Sequence, residues 1–191
     1  MILYNMYLII DTETTGLPKT KGFDKWFNPK KHEYYDSARL VQIAWKVLDK
    51  NFEEILSENY IVQRDDFSIE NSSFHGITNE MTDSIGIPLD TIFEKLYTIL
   101  LECEYIIAHN MAFDEHILLN HTYRIGDDHL RKRWTDMERI CTMKHTKNIL
   151  KLPKTSVCDC PQIKQFPWRI PPLANGSKNC SVRNALVSSH S

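Results

Sequence analysis

The apolar run Tyr7-Leu8-Ile9-Ile10 ends in Asp11-Thr12-Glu13-Thr14-Thr15-Gly16. Far downstream a second apolar run, Tyr105 to Ala108, ends in His109-Asn110-Met111-Ala112-Phe113-Asp114. Short apolar runs closed by polar turn residues predict buried strands. Side chains repeat every two residues along a strand, so Asp11 and Glu13 point to the same side, two carboxylates at a strand end. Like charges this close repel unless a divalent cation neutralises them, and hard oxygen ligands of this kind suit Mg²⁺ or Mn²⁺.

The remaining pattern predicts an α/β chain. Leu40 to Leu48 is rich in strand formers, Asp49-Lys50-Asn51 is turn material, and Ser57 to Gln63 reads as a third strand, which suggests an antiparallel meander. Pro88 to Glu102 carries a helical stripe of Leu89, Ile92, Phe93, Leu96, Ile99 and Leu100, with Pro at its start. Ala112 to Arg124 and Asp127 to Arg139 read as two further helices, and Ile140 to Met143 as a strand. Asp114 then falls in the first turn of a helix, where the partial positive charge favours an ionised carboxylate. Pro18 to Asp36 shows no sustained period and reads as a long loop. Strands followed by alternating strand and helix give a mixed sheet flanked by helices.

The two motifs resemble those of the DnaQ-like 3′-to-5′ exonucleases, the DEDD branch of the ribonuclease H-like superfamily. Asp-x-Glu-Thr-Thr-Gly matches that family's first motif and Asn-x-x-Phe-Asp its second. Between them, Glu70-x4-His75-Gly76-Ile77-Thr78-x-Glu80-Met81 is similar to its His-Gly-Ile substrate loop. The resemblance covers residues 7 to about 145. It implies a ribonuclease H-like fold and a cleft for single-stranded 3′ ends of DNA or RNA. It also implies hydrolysis with two divalent cations about 3.5 to 4 Å apart, one activating a water and one stabilising the leaving 3′-oxygen. Asp11 would bridge the ions, Glu13 would bind the activating one and Asp114 the second. Thr12, Thr14 and Leu17 would meet the terminal nucleotide, and Glu70 and His75 its sugar. Asn110 would brace the loop, and Phe113 could brace it or touch substrate.

The family's third motif, His-x4-Asp or Tyr-x3-Asp on a last helix, has no counterpart. From Cys141 onward the one carboxylate is Asp159, with neither a His five residues nor a Tyr four residues before it. By position the match falls on Arg183 to Ser188. Arginine cannot act as a general base, and a neutral serine hydroxyl is a poor metal ligand. Prolines at 153, 161, 167, 171 and 172 break the segment, so the expected division is an exonuclease domain over 1–150 and a basic, proline-rich irregular tail over 151–191 in place of that helix. Two other readings stay open: a binding module that holds 3′ ends without cutting, and a tail from a shifted reading frame or truncated gene.

Charge sharpens this division. Residues 1–140 carry 15 Lys and Arg against 24 Asp and Glu, and residues 141–191 carry 8 against 1. A basic tail suits phosphates. No stretch approaches membrane-spanning length and no secretory leader is evident. Five cysteines, Cys103, Cys141, Cys158, Cys160 and Cys180, form no regular framework, which predicts an intracellular, reducing compartment. His109, His116 and His121, spaced by seven and five, lack the i,i+4 pairing of a helical zinc site, and Cys158-x-Cys160 with Cys180 and His190 is a weak metal pattern.

Overall fold

The computed structural model describes residues 6–22 and 24–150, all within one compact unit. Five strands form a mixed sheet in the order β5-β4-β1-β6-β7: β1 (Met6–Thr14), β4 (Leu40–Leu48), β5 (Glu54–Ile61), β6 (Cys103–Ala108) and β7 (Glu138–Cys141). The β1, β4 and β5 strands make the expected antiparallel meander, and β6 and β7 add parallel to β1. Helices α3 (Leu89–Glu102), α4 (Met111–Ile125) and α5 (Asp128–Asp136) flank the sheet, with short α1 (Ser72–His75) and α2 (Asn79–Ile85) before them. This is the ribonuclease H-like α/β arrangement expected from the sequence. The strand expected over 57–63 begins three residues earlier, because its register on β4 starts at the Leu48–Glu54 pair.

Alternation along β1 divides the sheet. Leu8 and Ile10 point into the core beside Ile43, Trp45 and Val47 of β4 and Ile106 of β6, where they meet Phe93, Leu96 and Leu100 of α3 and Trp134 of α5. Tyr7, Ile9, Asp11 and Glu13 occupy the other face and line up across β4 with Leu48, Lys46, Ala44 and Gln42. A slip of one residue would bury both carboxylates and expose Leu8 and Ile10, so core packing pins the acids outward.

Residues 18–36 are more ordered than their lack of period suggests. They hold a small hairpin, β2 (Thr20–Gly22) with β3 (Lys25–Trp26), and a 3-10 turn at His32–Tyr34. Tertiary packing supplies what periodicity could not show. Tyr35 is fully buried and its hydroxyl donates to Phe27 O at 2.6 Å, while Phe27 stacks on Tyr34. From α4, Asn120 Nδ2 donates to Pro29 O at 2.7 Å and Arg124 reaches both His32 O and Asp36. After β7, the helix α6 (Thr142–Leu150) starts where a strand was expected to run on to 143. The tail over 151–191, with Asp159, Arg183 and Ser188, lies outside the described residues. No helix among the described residues is long and apolar enough to cross a membrane.

A bulge between Glu13 and Thr14 frees the backbone N–H of Leu40 from the ladder, and buried His121 Nε2 on α4 accepts it at 2.9 Å. Burial and the nearby Arg39 and Arg124 charges push the His121 pKa down to about 3, so the ring is neutral and available as an acceptor. A histidine held below its unfolded value of 6.5 supports the fold above that pH, and the support is lost as pH falls toward the folded value. Between pH 6.5 and about 5, urea unfolding should lose up to about 1.4 kcal/mol per pH unit from this ring. His121→Gln, which does not titrate, should flatten that slope; an unchanged slope would show that His121 is not its source.

Candidate active site

The parallel pairing of β1 with β6 brings the two sequence motifs side by side, since both strands run in the same direction and both apolar runs end at the same edge. Asp114 follows β6 by one tight turn. That turn needs a left-handed residue, and Asn110 takes it at φ 61°, a conformation Asn tolerates better than most side chains. Its backbone O then accepts the Phe113 N–H at 2.8 Å to start α4, while its side chain makes no capping bond. Asn110 thus braces the loop through its backbone.

Asp114 is 2% exposed and accepts a 2.7 Å hydrogen bond on Oδ1 from Thr12 Oγ1, across 102 residues of sequence. Burial pushes its carboxyl well above the usual range, and the charge of Asp11 pushes it further. The Thr12 hydroxyl and backbone N–H groups pull the other way without prevailing. At this helix start, burial and the Asp11 charge act against the ionised form that the position alone favours. Asp11, exposed on the outer face of β1, is also raised, first by the surrounding protein, against the lowering effect of His109. Glu13 lies half-buried two residues along on the same face.

Hard oxygen donors that repel one another in this way suit a divalent cation. Among the described residues, however, no three His, Cys, Asp or Glu side chains converge closely enough to enclose an ion. Asp11, Glu13 and Asp114 are hard oxygen donors of the type Mg²⁺ takes, commonly one or two at a time with water completing the shell.

The other expected residues separate into rim and support. Thr12 and Thr14 are 7% and 6% exposed, with hydroxyls turned inward, Thr14 Oγ1 donating to Gly16 O at 2.7 Å. Gly16 is required, because a Cβ there would meet Ser37 O at 2.8 Å. The turn it makes leaves Leu17 77% exposed. Phe113 packs edge-on to Trp26 of the hairpin, and Glu70 is exposed on the loop before α1.

His75 is held more tightly than its loop suggests. The Ile77 N–H donates to its Nδ1 at 3.1 Å, so Nε2 carries the proton and donates to Asn71 Oδ1, also at 3.1 Å. Asn71 Nδ2 in turn donates to Thr14 O at 3.0 Å. This chain ties the substrate-like loop to the end of β1. Asn71 was not identified from sequence: it reads as a helix N-cap, but its side chain leaves the cap position and reaches β1 instead. Phe74, one turn on, is 72% exposed and was missed as well. His109, read only as a rejected zinc candidate, contacts Thr142 Oγ1 through Nδ1 at 3.1 Å and faces Asp11 electrostatically.

The family model for exonucleases of the RNase T type matches residues 8–164, which spans the whole of this site. The chain belongs to the exonuclease family. Its fold is also similar to solved exonucleases. Escherichia coli exonuclease I in complex with a dT13 oligonucleotide matches with a TM-score of 0.60 and 19% identity, over 80% of this chain and 31% of that one. The same enzyme with a dA16 oligonucleotide matches with a TM-score of 0.61 and 20% identity, over 78% and 30%. The moderately thermophilic exonuclease I of Methylocaldum szegediense matches with a TM-score of 0.58 and 17% identity, over 74% and 28%. This exonuclease-family chain thus spans about a third of the length of those proteins. No curated protein matches it in sequence.

Because the folded Asp114 carboxyl is raised, its ionisation opposes folding, and the protein without metal loses stability as pH rises from 3.8 through the folded value. Asp114→Asn keeps an acceptor for Thr12 and removes the charge. In metal-free buffer at neutral pH it should raise the melting temperature. A lowered melting temperature by calorimetry would refute the buried-charge account.

Proposed function

We propose that the protein hydrolyses phosphodiester bonds at the 3′ end of single-stranded nucleic acid, releasing nucleoside monophosphates. The observation that carries this reading is the Asp11–Asp114 pair. Asp11 lies near the end of β1, and Asp114 lies in the first turn of α4, which follows the adjacent parallel strand β6. Thr12, next to Asp11, donates to Asp114, both carboxyls are raised by the surrounding protein and Asp114 also by the charge of Asp11, and Glu13 shares the face of Asp11. A fold without a task there would have little reason to keep so costly an arrangement. The single-stranded oligonucleotides bound by the exonuclease I structures support the substrate class.

In this reading Asp11, Glu13 and Asp114 hold two divalent cations, Mg²⁺ or Mn²⁺, which when bound supply an activated water and neutralise the leaving 3′-oxygen. Thr12 orients the Asp114 carboxylate. Thr12 and Thr14 offer the terminal nucleotide their backbone, since their hydroxyls are committed inward. The exposed side chains of Leu17 and Phe74 provide apolar surface for the last base, and stacking of this kind tolerates any sequence. His75, fixed as a neutral Nε2–H tautomer, and exposed Glu70 lie by the terminal sugar. The domain over 1–150 would carry these parts, with the basic tail over 151–191 adding affinity for phosphate.

Incubating 5′-labelled single-stranded DNA and a matched RNA with the protein and Mn²⁺ should give a ladder that shortens from the 3′ end. The Asp11→Ala, Glu13→Ala double variant should give none. Binding of the labelled strand without a ladder would replace this reading with that of a binding module. Phe74→Ala should raise KM about tenfold with kcat changed far less, since stacking of a base on an aromatic ring contributes ~1–3 kcal/mol, and Leu17→Ala should raise it less; steady-state kinetics on the preferred strand would check this.

A further inference from the structure

Five lysines, Lys19, Lys21, Lys25, Lys30 and Lys31, fall within thirteen residues. The rest of residues 1–140 holds ten basic against twenty-three acidic side chains. All five are exposed, and none forms a salt bridge among the described residues. Three of them lie over aromatic rings instead of carboxylates: Lys21 over Phe27 at 5.1 Å, Lys30 over Tyr123 at 5.3 Å and Lys31 over Tyr34 at 6.0 Å. Asp24, the one carboxylate of the segment, pairs with Lys144 of α6 at 3.3 Å and so does not neutralise its neighbours.

The position of this segment gives the charge a direction. Trp26 stacks on His116 with ring centroids 4.9 Å apart and meets Phe113 edge-on at 6.3 Å, and these two residues flank Asp114 on α4. The hairpin therefore rests on the first turns of the helix that presents the buried carboxylate. Buried Asn120 and the Arg124–Asp36 bridge fix the loop that follows the hairpin, at Pro29 and Asp36, to the same helix. A rigidly seated basic element with half-exposed aromatics, beside an acidic cleft in an acidic domain, has the composition of a track for single strands, where lysines meet phosphates and rings meet bases.

We propose that the β2–β3 hairpin binds the phosphate backbone of the single strand on the 5′ side of the terminal nucleotide, so that affinity comes from the hairpin and chemistry from the carboxylates. This rests on the exonuclease reading above. It separates two functions within one strand: the terminal nucleotide is held by the cleft, and the nucleotides behind it by Lys21, Lys25 and their neighbours. Affinity then rises with strand length until the hairpin is filled.

The test is fluorescence-anisotropy binding of full-length protein to a single-stranded trimer and a dodecamer, with Ca²⁺ replacing Mg²⁺, for the parent and for Lys21→Glu/Lys25→Glu. The variant should lose at least tenfold in dodecamer affinity and change less than about twofold on the trimer. The slope of log affinity against log salt should fall by about 1.4, the value for two phosphate contacts on a single strand. Circular dichroism melting of the variant should match the parent, as both lysines are exposed. Equal losses on trimer and dodecamer, or no loss on the dodecamer, would overturn the hairpin proposal while leaving the nuclease reading intact. A parent that binds neither strand would overturn both.

Discussion

The hydrogen bond from Thr12 to Asp114 joins the end of the first strand to the start of the fourth helix, and the site depends on it. Neither partner could hold this position alone. Thr12 is buried because the core draws Leu8, Ile10 and then Thr12 inward along one side of β1, and a buried hydroxyl needs a partner. Asp114 is buried because α4 must pack close behind β6, and a buried carboxylate needs a donor. Each satisfies the other. The same alternation turns Asp11 and Glu13 outward, so the packing of Leu8, Ile10 and Thr12 settles where the two acids stand.

Helix α4 serves as more than the carrier of one acid. Along its length His121 accepts the Leu40 N–H freed by the β1–β4 bulge, Asn120 and Arg124 hold the loop that ends at Asp36, and Phe113 and His116 support Trp26. One helix thus links the strand bearing Asp11 and Glu13, the buried Asp114 and the basic hairpin. A second chain of bonds, His75 to Asn71 to Thr14, fastens the opposite rim to β1. The hairpin and the loop of His75 are thus attached to the helix and the strand that carry the carboxylates.

How far this could be read from sequence depended on whether the signal was local. Strand β1 and helices α3 and α4 carry strong apolar periodicity and sharp boundaries, so they and the carboxylates at their ends were legible. The hairpin at 20–26 was not: its order comes from Trp26 on α4, from Tyr35 in the core and from bonds to residues some ninety positions away. Asn71 was hidden for a related reason. Its local role as a helix cap is the common one for its type, and only the approach of β1 gave its side chain a better partner.

The amino-acid sequence by itself determined the α/β class through its apolar periodicity and the family through its motifs, and alternation along β1 put Asp11 and Glu13 on one face. It also set the charge contrast between the acidic domain and its lysine-rich segments. Only the tertiary structure decided the surroundings of Asp114. Asp114 at a helix start looks like a favourably ionised residue, and it is the depth of burial and the distance to Asp11 that make its charge costly. Burial and proximity arise when strands distant in the chain pair side by side, so no window of sequence contains them.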